Sequence, residues 1–199
     1  MDEVPGPVSR TSERRWLLAG YAGLAGLFAL EALFRRPGSA SSLKGSKGDR
    51  GTIRSIVIAF ALAYDLPLLA RWLPVRPLPR AAAPTGLALQ ATGLAVRAWS
   101  MQALGSSYTR TLRVDGAGQE LVDRGPYRWV RHPGYLGSLM TWTGFALASR
   151  SLPSVVLIPA PLGVAYHRRI TAEEELLRRD LPGYPAYCER TKRLVPFVL

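Results

Sequence analysis

Apolar residues in this chain are gathered into blocks. The first block runs from Trp16 to Phe34, WLLAGYAGLAGLFALEALF, with Glu31 near its end as its one charge. A second spans Ile53 to Leu73 around Asp65, and a third spans Pro84 to Leu104 around Arg97. Two shorter blocks follow, Tyr135 to Ala148 and Leu152 to Tyr166, separated by Ser149, Arg150 and Ser151. Residues 17–30 are apolar on every helical face, unlike the one-sided stripe of a helix on a soluble surface. At about 1.5 Å per residue the first three blocks are long enough to cross a hydrocarbon core of about 30 Å. Backbone polar groups need internal partners in lipid, so the blocks predict helices. The expected fold is all-α: an integral membrane bundle of five transmembrane helices over 16–34, 53–73, 84–104, 135–148 and 152–166, in a single domain of residues 1–199. The last two form a short helical hairpin, and Pro153, Pro159 and Pro161 leave its depth in the bilayer open.

Charge changes the picture by its placement. The 199 residues are 48% hydrophobic and 20% charged, with a formal net charge of +12. The basic residues flank the apolar blocks and do not line a soluble face, so no nucleic-acid partner is expected. Of the 26 Lys and Arg residues, 18 lie in the first connector, the third connector and the tail, against seven on the opposite side. The basic side is expected to be cytoplasmic, with the N-terminus outside and the chain in the cell (inner) membrane. The first block exceeds a signal h-region and no A-x-A site follows it, so no cleavable signal is expected. Cys188 is the one cysteine, which excludes an internal disulfide.

Three features within the blocks ask for partners. Gly20, Gly23 and Gly26 form a small-residue face suited to close helix packing, within the chain or against a second copy. A charge at bilayer centre costs about 2.5–3.5 kcal/mol on insertion scales, so Arg97 is expected to pair with Asp65 or Glu31, the alternative being a place beneath a bound ligand where it steers an acidic substrate. Glu31 also stands near enough to the cytoplasmic interface to need no partner.

The densest polar and aromatic cluster, GPYRWVRHPGYLG from Gly125 to Gly137, sits at the lip of the fourth block. The tail from Arg168 to Phe197 faces it, with Glu173, Glu174 and Glu175 opening an amphipathic stretch that Pro182-Gly183 ends. Arg124, Arg128 and Trp129 read first as interfacial anchors, and Glu175 as part of a solvated helix start favoured by the helix dipole. Two His and one Cys make a zinc site unexpected, and no metal is predicted.

The pattern LV-x-x-GPY-x-x-x-RHP-x-Y-x-G is met by Leu121, Val122, Gly125, Pro126, Tyr127, Arg131, His132, Pro133, Tyr135 and Gly137. The tail supplies RI-x-x-EE as Arg169, Ile170, Glu173 and Glu174, then GY-x-x-Y as Gly183, Tyr184 and Tyr187, then RL-x-P as Arg193, Leu194 and Pro196. Over roughly residues 85–197 the chain resembles the isoprenylcysteine carboxyl methyltransferase family and its phospholipid and thiol methyltransferase relatives. That resemblance implies S-adenosyl-L-methionine as cofactor, held on the cytoplasmic face between 105–134 and 167–199. Val122, Gly125, Tyr127, Arg131, His132, Pro133, Tyr135, Leu136, Glu174, Tyr184 and Tyr187 are the expected cofactor-binding residues. Tyr127, Pro133 and Tyr135 offer surfaces to an adenine, Glu174 a carboxylate to a ribose diol, and Arg131 and His132 donors to a carboxylate. Arg169 and Glu173 are the expected catalytic pair, Arg169 holding an anionic group of the acceptor. A thiol or amine acceptor needs a base, for which Glu173, Tyr187 and His167 are candidates. The expected acceptor is a lipophilic small molecule or lipid arriving from the membrane, with no obligate protein partner. A non-enzymatic membrane scaffold and a dinucleotide-dependent (NADPH) membrane reductase of related architecture are the competing readings.

Overall fold

The computed structural model describes residues 7–34, 51–105 and 121–195. Half of the 105–134 connector, including Arg110 and Arg113, and the terminal Pro196 and Phe197 lie outside the described residues. Among the described residues the fold is all-helical, with one isolated parallel bridge between Val130 and Lys192. The helices are α1 (Pro7–Leu33), α2 (Thr52–Leu69), α3 (Ala82–Leu104), α4 (Pro133–Ala148), α5 (Leu152–Leu157), α6 (Pro159–Asp180) and α7 (Tyr184–Arg190). A 3₁₀ turn over Gly125–Arg128 precedes α4. Two stretches, Glu13–Leu33 and Thr52–Trp72, are long and apolar enough to cross a membrane. Their outward faces carry Leu18, Phe28, Leu33, Ile58, Leu62 and Leu69, all exposed, and contiguous apolar exposure of this kind needs a lipid or protein cover.

α4 is the central helix. Gly137, Ser138, Thr141, Trp142, Gly144, Phe145, Ala146 and Ala148 are all buried, and α3 is its most extensive neighbour. The reason is local sequence. A Cβ at Gly93 would stand 2.6 Å from the Gly137 carbonyl oxygen, and one at Gly144 would stand 2.5 Å from the backbone nitrogen of Gln90. Backbone meets backbone at both levels, which only glycine permits, and this is how helices gain van der Waals contact where lipid offers no hydrophobic drive. The glycines of α1 serve the same end inside the chain: Gly23 faces the Gln90 amide, which donates to the Gly20 carbonyl at 2.9 Å, and Gly20 faces Phe145. The small-residue face therefore packs on α3 and α4, leaving no call for a second copy.

The expected fifth helix over 152–166 is not one helix. The chain breaks at Ile158, and α6 runs unbroken from Pro159 to Asp180, out of the apolar block and through the acidic stretch. Proline lacks the N–H that an inner helical turn needs but suits the first turn, so Pro159 and Pro161 end α5 and open α6. Glu173 to Glu175 consequently stand mid-helix and not at a helix start, and the dipole rationale for Glu175 falls away. The inner core joins Leu24, Ala63, Trp142, Phe145, Leu162, Tyr166 and Ile170 from α1, α2, α4 and α6, with Ile158 from the break before α6.

Arg97 has its counter-ion in Glu31: its Nε donates to Glu31 Oε1 at 2.8 Å, and its Nη2 contacts the same oxygen. Asp65 instead lies exposed on α2. Glu31 thus does have a partner, and the pair ties α1 to α3.

Candidate active site

The two motif segments meet along a short backbone seam. Val130 and Lys192 form the parallel bridge; Arg131 N–H donates to the Lys192 carbonyl at 2.8 Å, His132 N–H to the Arg193 carbonyl at 3.2 Å, and Lys192 N–H to the Trp129 carbonyl at 3.0 Å. Gly125, at φ 58, opens the 3₁₀ turn in the left-handed region that glycine tolerates. It rests against Ala103 and Trp99 of α3. Pro133 is buried at the first position of α4, where its missing N–H costs no hydrogen bond. Gly183, at φ 80, turns the chain from α6 into α7.

Around this seam one carboxylate gathers several cations. Glu174 Oε1 accepts from Arg131 Nε at 2.8 Å and lies 3.2 Å from His132 Nε2. Arg193 Nε is 3.3 Å from Glu174 Oε2, an ion-pair contact without hydrogen-bond alignment, and Arg178 approaches the same oxygen at 4.0 Å. Arg131 also donates to the carbonyls of Cys188, at 3.2 Å, and Thr191. Arg193 Nη2 donates to Thr171 Oγ1 at 3.0 Å. Burial pushes the Glu174 carboxyl up, but hydrogen bonds from His132 and Arg131 outweigh it and hold the group at about 2. Three guanidiniums thus stand against one ionised carboxylate, a local surplus of positive charge. Arg193 is half-buried, so part of that surplus faces outward.

A second polar chain lies beside the first. Arg169 Nε donates to Tyr135 Oη at 3.3 Å, Tyr135 Oη donates to Glu173 Oε2 at 2.9 Å, and Arg169 Nη1 donates to Thr52 Oγ1 at 3.1 Å. It joins α2, α4 and α6, with Arg169 only 4% exposed. The Tyr135 ring stands 5.8 Å from His132 and 5.2 Å from Tyr166, so the two chains share a wall.

Of the expected site residues, Arg131, His132 and Glu174 converge directly, and Tyr135, Arg169 and Glu173 form the adjoining chain. Tyr187 donates to the Tyr127 carbonyl at 2.7 Å and packs with Tyr184, ring centroids 5.8 Å apart. Burial pushes the phenols of Tyr127, Tyr184 and Tyr187 well above their usual range. Tyr187 is therefore a neutral donor and lacks the ionised form that a base needs. His167 is exposed on α6. Val122 and Leu136 are half-buried at the edges of the site. Arg193 and Thr191 were not among the expected site residues; Arg193 stands in the RL-x-P ending, and that match was the available signal.

Residues 82–181 match the family described as phospholipid methyltransferase. The chain belongs to the phospholipid methyltransferase family. The match covers half of the chain and takes in α3, the 3₁₀ turn, α4, α5 and α6. A probable protein-S-isoprenylcysteine O-methyltransferase of Oryza sativa subsp. indica is 30% identical over 115 residues, which is 57% of this chain and 60% of that protein. A nickel-cobalt-cadmium resistance protein of Alcaligenes xylosoxydans xylosoxydans is 30% identical over 77 residues, 39% of this chain and 36% of the relative. A 3-oxo-5-alpha-steroid 4-dehydrogenase 1 of Mus musculus is 32% identical over 116 residues, 58% of this chain and 42% of the relative. The similarity spans only about 60% of the rice relative's length and less of the other two. The phospholipid methyltransferase match brings Arg131, His132, Arg169, Glu173 and Glu174 inside the shared region and leaves α7 and Arg193 beyond it.

Proposed function

We propose that the chain is an integral membrane methyltransferase that takes a methyl group from S-adenosylmethionine and gives it to a lipophilic acceptor. The observation that carries this reading is the surplus of guanidinium charge around Glu174, built where the His-Pro turn meets the tail. Such a surplus fits the carboxylate of an amino-acid cofactor. The Tyr184 hydroxyl, buried and without a hydrogen-bond partner, offers a further polar contact. When bound, the cofactor would supply a methyl group on a positive sulfur: the acceptor's nucleophile would bond to the methyl carbon in line as the carbon–sulfur bond breaks, with S-adenosylhomocysteine leaving as the neutral thioether.

The chain's own residues then have distinct tasks. Arg131 and Arg193 hold the cofactor carboxylate, and Glu174 keeps their guanidiniums in place. Tyr127 and Tyr135 present rings to the adenine side. Arg169 holds an anionic group on the acceptor, or polarises it. Glu173 accepts the proton of a thiol or amine acceptor at its carboxylate oxygen; a carboxylate acceptor is already ionised and needs no base. Binding converts a bimolecular encounter into an aligned one and keeps water out, which is where most of the acceleration arises when no protein nucleophile is required. The five-span topology, with the site on the cytoplasmic face and the N-terminus outside, is part of the same proposal and rests on the distribution of Lys and Arg.

Thermal shift in detergent tests the cofactor. S-adenosylhomocysteine is expected to raise the melting temperature and NADPH to leave it unchanged. The reverse result assigns the chain to the reductase reading instead. Incubation with labelled S-adenosylmethionine and native membrane lipids, followed by mass analysis of what gains a methyl, identifies the acceptor.

A further inference from the structure

The inner ion pair has a feature that tying two helices together does not require. α4 opens with Pro133 and Gly134. A methyl group on Gly134 would stand 2.9 Å from Arg97 Nη1 and 3.2 Å from Ser100 Oγ. The Arg97 guanidinium therefore rests in a notch on the backbone of the His-Pro-Gly turn, one residue beyond Pro133. Its other side is held by Glu31 of lipid-facing α1. Ser100 Oγ donates to the Arg97 carbonyl at 2.7 Å. One side chain thus joins the His-Pro-Gly turn to an outer helix.

We propose that Arg97 is a positioning residue for the methyl-donor site: anchored by Glu31, its guanidinium sets the seat of the Pro133–Gly134 turn under His132. The proposal rests on the donor-site reading above. A rigid planar guanidinium suits this task, since it presents donors in several directions from one fixed plane. A shift of the turn by about 1 Å moves His132 relative to Glu174, and misplacement of that size costs on the order of 10²-fold in rate.

Gly134→Ala is the decisive variant. Its new methyl meets the far end of Arg97 and the Ser100 hydroxyl and no backbone, so the fold is expected to hold while the guanidinium is displaced. S-adenosylhomocysteine affinity, measured by calorimetry in detergent, is expected to weaken about tenfold in Gly134→Ala and in Glu31→Gln. Arg97→Lys has a smaller head group that accommodates the added methyl. Gly134→Ala combined with Arg97→Lys is therefore expected to bind no worse than Arg97→Lys alone. A purely structural pair would move the melting temperature and leave donor affinity in the folded protein unchanged. Wild-type affinity in both Gly134→Ala and Glu31→Gln, or additive losses in the double variant, would overturn the proposal while leaving the donor site standing. If the wild-type protein binds no S-adenosylhomocysteine, the donor-site reading and this proposal fall together.

Discussion

Two ionic clusters lie on either side of the same turn and are built differently. The inner one joins Arg97 to Glu31, cation against anion, on helices whose outer faces are apolar. The outer one sets Arg131, Arg178 and Arg193, with His132, around Glu174. Where charge is balanced, burial is offset locally and a well-made pair holds structure. Where several cations surround one carboxylate, a bound anion finds donors beyond those the carboxylate occupies. The contrast is the ground on which the outer cluster is proposed to bind an anion and the inner pair to hold the turn.

The largest expected effect follows from removing the outer carboxylate. Glu174→Ala leaves Arg131 and His132 facing one another with no counter-ion, and breaking a buried pair in this way costs about 3–5 kcal/mol. Both the melting temperature and the S-adenosylhomocysteine shift are expected to fall. Glu174→Gln keeps the shape and enlarges the positive surplus, so a stable Gln variant is expected to bind S-adenosylhomocysteine at least as well as the Ala variant; lost binding in a stable Gln variant would show that the surplus is not what receives the cofactor. Next in size is the inner pair. Arg97→Leu strands Glu31 among apolar helices, at about 2.5–3.5 kcal/mol for a charge in the membrane. The loss of folded yield is expected to exceed the weakening of cofactor affinity in the protein that does fold. A well-expressed, stable Arg97→Leu protein that binds cofactor and is inactive would reverse that ranking.

Acid separates the clusters by titration. Glu174 is held at about 2, below its ordinary value of 4.5. A depressed carboxyl contributes stability that is complete above the unfolded value and is lost as pH falls through the folded one. The wild-type melting temperature is therefore expected to decline between about pH 4.5 and 2, and Glu174→Gln to lack that component over the same range. Identical acid limbs in the two proteins would place the titration elsewhere.

How much of this was legible in the sequence depends on the range of the signal. Contact between His132 and Glu174 was foreseeable because two separated motifs each carry unusual residues that the family resemblance assigns to one pocket. The Val130–Lys192 seam was not, since a single bridge leaves no periodicity. The helix end at Tyr166 was misplaced because apolarity stops there while helical structure does not; α6 simply passes from an apolar to a polar setting. Pro159 marked the true break. The partner of Arg97 stayed open between Asp65 and Glu31 because helix rotation about its axis is set by packing, here by the contacts of Gly20 and Gly23 with Phe145 and Gln90. The continuity of polar residues across α2, α4 and α6, from Thr52 through Arg169 and Tyr135 to Glu173, likewise depends on three-dimensional phase.

The smallest effect is the most informative about the surplus itself. Arg193 stands at the rim, half-buried, with Nε near Glu174 and Nη2 donating to Thr171. Arg193→Ala removes one cation from the surplus but leaves Arg131 and His132 bonded to Glu174, so the fold is expected to hold. If the surplus receives an anionic group, S-adenosylhomocysteine binding weakens about tenfold, the 1.4 kcal/mol scale of a partly exposed charge-assisted contact. The same variant flattens the salt dependence of binding, because a rim charge is screened over a Debye length of about 8 Å at physiological ionic strength while a buried pair is not. An Arg193→Ala protein with unaltered affinity and an unaltered salt slope would move the binding site away from the rim and leave Glu174 a brace like Glu31.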